Sequence, residues 1–235
     1  MIIRTLGQSG YIIKSGKTEI VLDPYLSDSV NRIAGRPRAL PVPIEPSALT
    51  PDAVICTHNH LDHLDPDTVT LMSDSQFFIT TAEGKEKLFS LGKNNVRALA
   101  VGESIAVGDI TVTAVFADHT AEAFGAILEA EDLRLYFSGD TLYNEKLFDI
   151  SAYKPDVTFI CINGRLGNMN VDEALETAKT IGAPTNVPNH YDMFESNSEN
   201  PHLFADKIEG GFIMDFNTPY ELAKHNGKIV LEKIN

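Results

Sequence analysis

Thr57-His58-Asn59-His60-Leu61-Asp62-His63-Leu64-Asp65-Pro66 gathers three imidazoles and a carboxylate between His58 and His63, in a chain with only seven histidines. Few causes other than a bound cation bring four potential ligands so close together. A strand ending at Cys56 would deliver His58 and His60 with period-two spacing, so that both rings face one side, while Asp62 and His63 continue around the turn. One loop thereby offers ligands to two adjacent sites. Neutral imidazole and carboxylate suit zinc, manganese or iron, and the lack of cysteine in the cluster argues against a structural zinc, which favours thiolates.

Outward from this loop the chain reads as sheet interleaved with helix. Apolar strands are expected at residues 2–6, 11–14, 19–22 and 53–56. Residues 27–51 hold Gly35 and the prolines Pro37, Pro41, Pro43, Pro46 and Pro51 with little periodicity, which reads as a long loop of the kind that often carries function. A short helix over 67–72 is opened by Asp65-Pro66, since proline suits the first helical turn. A strand at 77–80 and a helix at 83–91 follow. Strands at 104–107, 110–117, 125–130 and 133–137, joined by tight turns, predict a second, antiparallel-rich sheet. Beyond it come a strand at 157–162, a helix at 171–181 stopped by Gly182, and a strand at 185–188. This order predicts two sheets packed face to face with helices outside, in a single domain spanning 1–235.

Three further polar groups stand where a strand opens into a loop: Asp118-His119, Gly139-Asp140 and Asn189-His190. Strand ends on one edge of a sheet converge without being close in sequence, and active-site groups are commonly carried on such loops. Gly139 would remove a side chain where Asp140 approaches a metal.

Composition narrows the partners. A formal net charge of -14, with no cluster of lysine or arginine to reverse it, opposes approach to nucleic-acid phosphates and argues against nucleic acid as a substrate. The first residues lack the features of a signal peptide, and the longest strongly apolar stretch, 157–162, is far short of the ~18 residues of a spanning helix. The expectation is a soluble, cytoplasmic protein without membrane contact. Cys56 and Cys161, each inside an apolar run, read as buried hydrophobes rather than a disulfide.

The pattern H-x-H-x-D-H at 58–63, followed by His119, Asp140 and His190, resembles the metallo-β-lactamase superfamily. That resemblance implies an α/β fold of four αββα layers with one or two divalent metals at one edge, between the sheets. It assigns His58, His60 and His119 to one metal, Asp62, His63 and His190 to the other, and Asp140 as the bridging carboxylate. Asp62 and Asp140 would also orient the attacking water. Asp23 matches an early aspartate that supports the ligand loop, and Asp118, beside His119, is a candidate partner behind the ligands.

Leu6-Gly7-Gln8-Ser9-Gly10, Leu22-Asp23-Pro24, His63-Leu64-Asp65-Pro66, Ile162-Asn163-Gly164-Arg165 and His190-Tyr191-Asp192-Met193-Phe194 are similar to the L-ascorbate-6-phosphate lactonase-like branch. That branch implies manganese, the wider superfamily zinc, and iron is the less favoured ion. Arg165 is the candidate for holding an anionic substrate, because its planar fork can bind phosphate or carboxylate through two hydrogen bonds. Arg36 and Arg38 in the Pro-rich loop could reach over the site, and Asn163, Tyr191 and Asp192 could line it. His202 and His225 lack comparable neighbours and receive no role. The expected activity is hydrolysis of a small anionic ester or lactone, a sugar-phosphate lactone among the candidates, by a metal-activated water whose pKa falls from about 15.7 to about 7. The rival readings are a small-molecule phosphodiesterase and a diiron redox protein of the same fold. Expected partners are that small anionic molecule and, in a homo-oligomer, further copies of the chain.

Overall fold

Alternating apolar residues build both sheets of the computed structural model, which describes residues 1–225 and 228–234. The first sheet contains β1 (Ile2–Gly7), β2 (Gly10–Ser15), β3 (Thr18–Leu22), β4 (Ala53–Ile55), β5 (Phe78–Thr80) and β6 (Val96–Ala98), extended beyond β1 by β13 (Pro219–His225) and β14 (Lys228–Lys233). The second runs in the order β12-β11-β10-β9-β8-β7, from β7 (Ser104–Val107) and β8 (Ile110–Val115) through β9 (Gly125–Ala130) and β10 (Leu133–Phe137) to β11 (Val157–Cys161) and β12 (Thr185–Asn189). Ile20 and Leu22 of the first sheet meet Val112, Leu128, Phe137 and Phe159 of the second in one buried core. The alternate residues, such as Val21 and Val54 on one side and Ile127 and Tyr136 on the other, face outward under helices.

Those helices complete four layers. On the first sheet lie α2 (Pro66–Leu71) and α3 (Ala82–Ser90), contributing Val69 and Leu88; on the second lie α4 (Val171–Ile181) and α5 (His202–Ala205), contributing Leu175 and Phe204. Helix α4 is the best specified locally. Asn170 and Glu173 form a reciprocal capping box at its start, and Gly182 ends it in the left-handed conformation, φ 75°. No helix among the described residues is long and apolar enough to cross a membrane.

Register decides where the functional residues emerge. β3 and β4 are parallel, with Leu22 opposite Ile55, so Asp23 and Thr57-His58 leave the first sheet side by side. In the second sheet β10, β11 and β12 are parallel, with Phe137 opposite Phe159 and Cys161 opposite Asn189. Asp140, Asn163 and His190 therefore emerge at one common edge.

Four features differ from the sequence reading. Residues 27–51 are not a bare loop: they contain α1 (Ser29–Ala34), ended by Gly35 at φ 68°, and a short 3-10 turn at Pro46–Ala48. Helices of this length are too short to display a period. Strand β8 stops at Val115, which frees residues 116 and 117 to carry Asp118 and His119 clear of the sheet. A 3-10 segment at Glu145–Tyr153 and the strands β6, β13 and β14 have no strong local signal. In β13 the apolar alternation is confined to Tyr220 and Leu222 on either side of the exposed Glu221, too short to stand out in sequence, and pairing with β1 fixes the strand.

Candidate metal centre

The ligand loop is held from behind by one buried carboxylate. Asp23 Oδ1 accepts from the Thr57 main-chain N–H at 2.7 Å, and Oδ2 accepts from Thr57 Oγ1 at 2.8 Å and from His63 Nδ1 at 2.8 Å. Asp23 adopts φ 42°, a conformation that aspartate tolerates better than most residues. From the outside, Lys87 of α3 donates to the carbonyls of Asn59 (2.6 Å) and Leu64 (2.9 Å). The loop is clamped on both sides.

These contacts also set which ring nitrogens are free. Thr57 Oγ1 spends its proton on Asp23, so at 3.1 Å from His58 Nδ1 it accepts, and the lone pair of His58 sits on Nε2. His119 Nδ1 donates to the Gly167 carbonyl at 3.0 Å, leaving its lone pair on Nε2, 3.1 Å from His60 Nδ1. A Cβ on Gly167, which adopts φ 94°, would lie 2.9 Å from the His119 ring, so only glycine lets that carbonyl approach. Gly139 proves to serve packing rather than a metal: a Cβ there would meet the Phe124 carbonyl oxygen at 3.2 Å and Thr57 at 3.4 Å.

Three overlapping groups result: His58-His60-His119, His58-His63-Asp140 and Asp62-His63-His190, with the ligand atoms of each within 4.8 Å of one another. Asp140 Oδ1 lies 3.2 Å from His63 Nε2 and 3.3 Å from His190 Nε2, and its Oδ2 lies 3.8 Å from His119 Nε2. His58 Nε2, His63 Nε2 and Asp140 Oδ1 are all buried without a hydrogen-bond partner, the last two because their approach is poorly angled. Buried polar atoms are normally satisfied, and three unsatisfied ones pointing together fit a missing cation.

The electrostatics divide the site. Burial, reinforced by the neighbouring His63 charge, holds His58 well below the usual imidazole range, and burial with His119 lowers His60. The other half is charged. Burial opposes protonation of His63 and His190, but the Asp140 carboxylate and its neighbours outweigh it, raising His63 strongly and His190 to about 9. Burial likewise opposes ionisation of Asp62 and Asp140, yet the adjacent imidazolium charges hold both carboxyls well below their ordinary range. Without metal, protons on His63 and His190 stand in for the cation, and metal binding must release them. Apparent metal affinity is therefore expected to rise with pH through about 9, where His190 is half deprotonated. Chelator-competition titrations from pH 6 to 9.5 measure this, and a flat profile would contradict it.

The centre forms part of the floor of a cavity of about 550 Å³, walled by Val30, Ala34, Leu61, Leu166 and Phe194. Arg36 is the one arginine or lysine lining it. The other proposed substrate contacts lie elsewhere. Arg38 donates to the carbonyls of Ser27, Leu40 and Pro41 at 2.7–3.1 Å and stacks 5.0 Å from the Tyr25 ring centre, so it braces the Pro-rich segment. Arg165 is exposed and donates to the Ser198 carbonyl at 2.8 Å. Asn163 is buried and bonded to Asn197, Asn168 and the Arg165 carbonyl. Tyr191 and Asp192 line a separate cavity of about 400 Å³. Asp118 accepts from Asn144 at 2.8 Å and, through its main chain, fixes Thr141 and Leu142; it braces the loop after Asp140 instead of the His119 ring. A cavity of about 640 Å³ near the starts of β10 to β12 is lined by Arg134, paired with Glu129, by Lys224, paired with Asp156, and by Lys154.

Two residues were not singled out from sequence. Thr57 orients His58, and Gln8 at the tip of the β1–β2 hairpin donates from Nε2 to Asp62 Oδ2 at 2.6 Å. The signal for Gln8 was a long polar side chain in a tight turn between two apolar strands.

A two-sheet sandwich with outer helices, carrying a histidine and aspartate cluster where parallel strands end, is the architecture of the metallo-β-lactamase class. The chain belongs to the β-lactamase superfamily: the sequence model of that superfamily domain matches residues 18–191. It is 26% identical to a UPF0173 metal-dependent hydrolase of Oenococcus oeni over 94% of this chain and 100% of that protein. A second, from Methanopyrus kandleri, is also 26% identical, covering 89% of this chain and 92% of the relative. Among solved structures, the metallo hydrolase Igni18 of Ignicoccus hospitalis superposes with a TM-score of 0.73 at 20% identity, covering 100% of this chain and 99% of that one. An isothiocyanate hydrolase from Delia radicum gut bacteria gives 0.77 at 19% identity, covering 93% and 98%. At these identities the solved structures speak for the fold alone.

Proposed function

We propose that the protein is a metal-dependent hydrolase that opens a small ester or lactone bearing one acidic group, using two cations held by His58, His60 and His119 and by Asp62, His63 and His190, with Asp140 shared. The observation that carries this reading is the set of unpartnered buried ligand atoms in the floor of a cavity with one cationic wall residue. When bound, such cations lower the pKa of water and polarise a carbonyl oxygen. The protein's own groups would do the rest. Asp62 and Asp140, both held ionised, can accept a hydrogen bond from water and orient it. Arg36 would pair with the substrate's acidic group, and Leu61, Leu166 and Phe194 would keep water from its apolar part. Neither cysteine can be the nucleophile: both are buried, which raises the Cys56 thiol strongly and the Cys161 thiol to about 11.

Metal analysis of protein purified without added metal, followed by assays on sugar lactones, phosphorylated lactones and small phosphodiesters, tests the reading. Turnover of a carbonyl substrate is expected, and turnover of phosphodiesters alone would overturn it. Arg36→Ala should raise KM about 10-fold with little change in kcat, since a hydrogen bond to a charged group contributes roughly 1.5–3 kcal/mol. Arg38→Ala should lower the melting temperature and leave KM unchanged.

A further inference from the structure

The carboxamide of Gln8 lies among the ligand atoms of the Asp62-His63-His190 group without belonging to it. Its Nε2 is 2.6 Å from Asp62 Oδ2 and 2.9 Å from His190 Nε2, two atoms that are themselves 3.5 Å apart. The Gln8 main-chain oxygen accepts from the His190 N–H at 3.1 Å, so the hairpin tip and the end of β12 are bound together. Gln8 itself is 3% exposed and adopts φ 55°, directly after Gly7 at φ 85°. A long side chain held in the left-handed region is uncommon, and such backbone persists where the surroundings impose it, often at functional sites.

Neither orientation of the amide leaves all of its polar atoms satisfied by the protein alone. With the NH2 group inward it matches the Asp62 carboxylate, but Oε1 is left buried without a partner. With the oxygen inward the contact with Asp62 becomes acceptor against acceptor. A cation held by Asp62 and His190 would remove the conflict, because with the oxygen inward all three groups can present lone pairs to one centre.

We propose that Gln8 is a further metal ligand: its carboxamide oxygen joins Asp62, His63 and His190 around one cation, and in the metal-free protein the amide turns its NH2 group to Asp62 instead. The inference rests on the two-cation reading above. A neutral oxygen ligand shifts that half towards oxygen donors, which suits manganese better than zinc.

Titration of the metal-free full-length chain with Mn2+, followed calorimetrically and by electron paramagnetic resonance, tests it on wild type, Gln8→Met and Gln8→Glu. Thermal melts serve as the folding control. Gln8→Met should weaken the Mn2+ equivalent held by Asp62, His63 and His190 by about 10–100-fold and leave the other equivalent unchanged. Gln8→Glu, which keeps an oxygen but loses the donor, should bind that equivalent at least as tightly as wild type. If Gln8→Met fails to fold, the Glu variant decides alone. A Glu variant weakened in this equivalent would mean that Gln8 only donates to Asp62, and wild-type affinity in the Met variant would mean that it takes no part; either overturns the inference. Wild-type protein that takes up a single equivalent would overturn the two-cation reading together with it, whereas two equivalents in both wild type and Gln8→Met would remove Gln8 alone.

Discussion

Replacing Asp140 with alanine is expected to abolish turnover and to cost more metal affinity than any change behind the ligands. Asp140 is the carboxylate that reaches both halves of the centre: Oδ1 stands 3.2 Å from His63 Nε2 and 3.3 Å from His190 Nε2, and Oδ2 stands 3.8 Å from His119 Nε2. The carboxylate is also the leading cause of the raised proton affinity of His63 and His190, so its loss removes the charge that organises the metal-free site. Removing a residue behind a metal ligand costs roughly 10–100-fold in affinity or activity, and a bridging ligand should exceed that range. Steady-state kinetics and metal stoichiometry measure the effect, with a thermal melt to show that the variant is folded. Wild-type activity in Asp140→Ala would sink the proposed chemistry.

Asp23→Ala should have the largest effect on stability. The side chain is fully buried, and its two oxygens accept from the Thr57 N–H, the Thr57 hydroxyl and the His63 ring. Breaking a buried ion pair by removing one partner costs about 3–5 kcal/mol, because the remaining charge is left uncompensated. Here that charge is on His63, which is protonated in the metal-free protein. Metal affinity should fall as well, by about 10–100-fold, since Asp23 fixes the ring that presents Nε2 to the centre. Asp23→Asn separates backbone from charge: asparagine tolerates φ 42° but has one acceptor oxygen in place of two. Its loss should fall between wild type and alanine. Denaturant unfolding of metal-free protein and metal titration read out both effects, and an alanine variant as stable as wild type would contradict the role assigned to Asp23.

Much of the centre was legible in sequence because its information is local. His58, His60, Asp62 and His63 sit on one loop whose spacing alone speaks of a metal, and Asp140 and His190 each follow closely on a strand expected from the sequence. His119 joins the cluster although its strand ends earlier than the pattern suggested. The substrate residues were less legible. A guanidinium in a proline-rich loop reads the same whether it faces a cavity or a row of carbonyls. Arg36 lines the cavity, and Arg38, two residues away, is occupied by the carbonyls of Ser27, Leu40 and Pro41.

By itself the sequence determined the two-sheet layering and the chemistry of the ligand loop, because alternation and short-range spacing are properties of neighbouring residues. Tertiary structure decided which polar groups surround that chemistry. The parallel register of β10 to β12 brings Asp140 and His190 to one edge, and the β1–β2 hairpin sets Gln8 against His190 from 182 positions away. Contacts between residues so distant in the chain depend on how the sheets pack, and no local pattern encodes them.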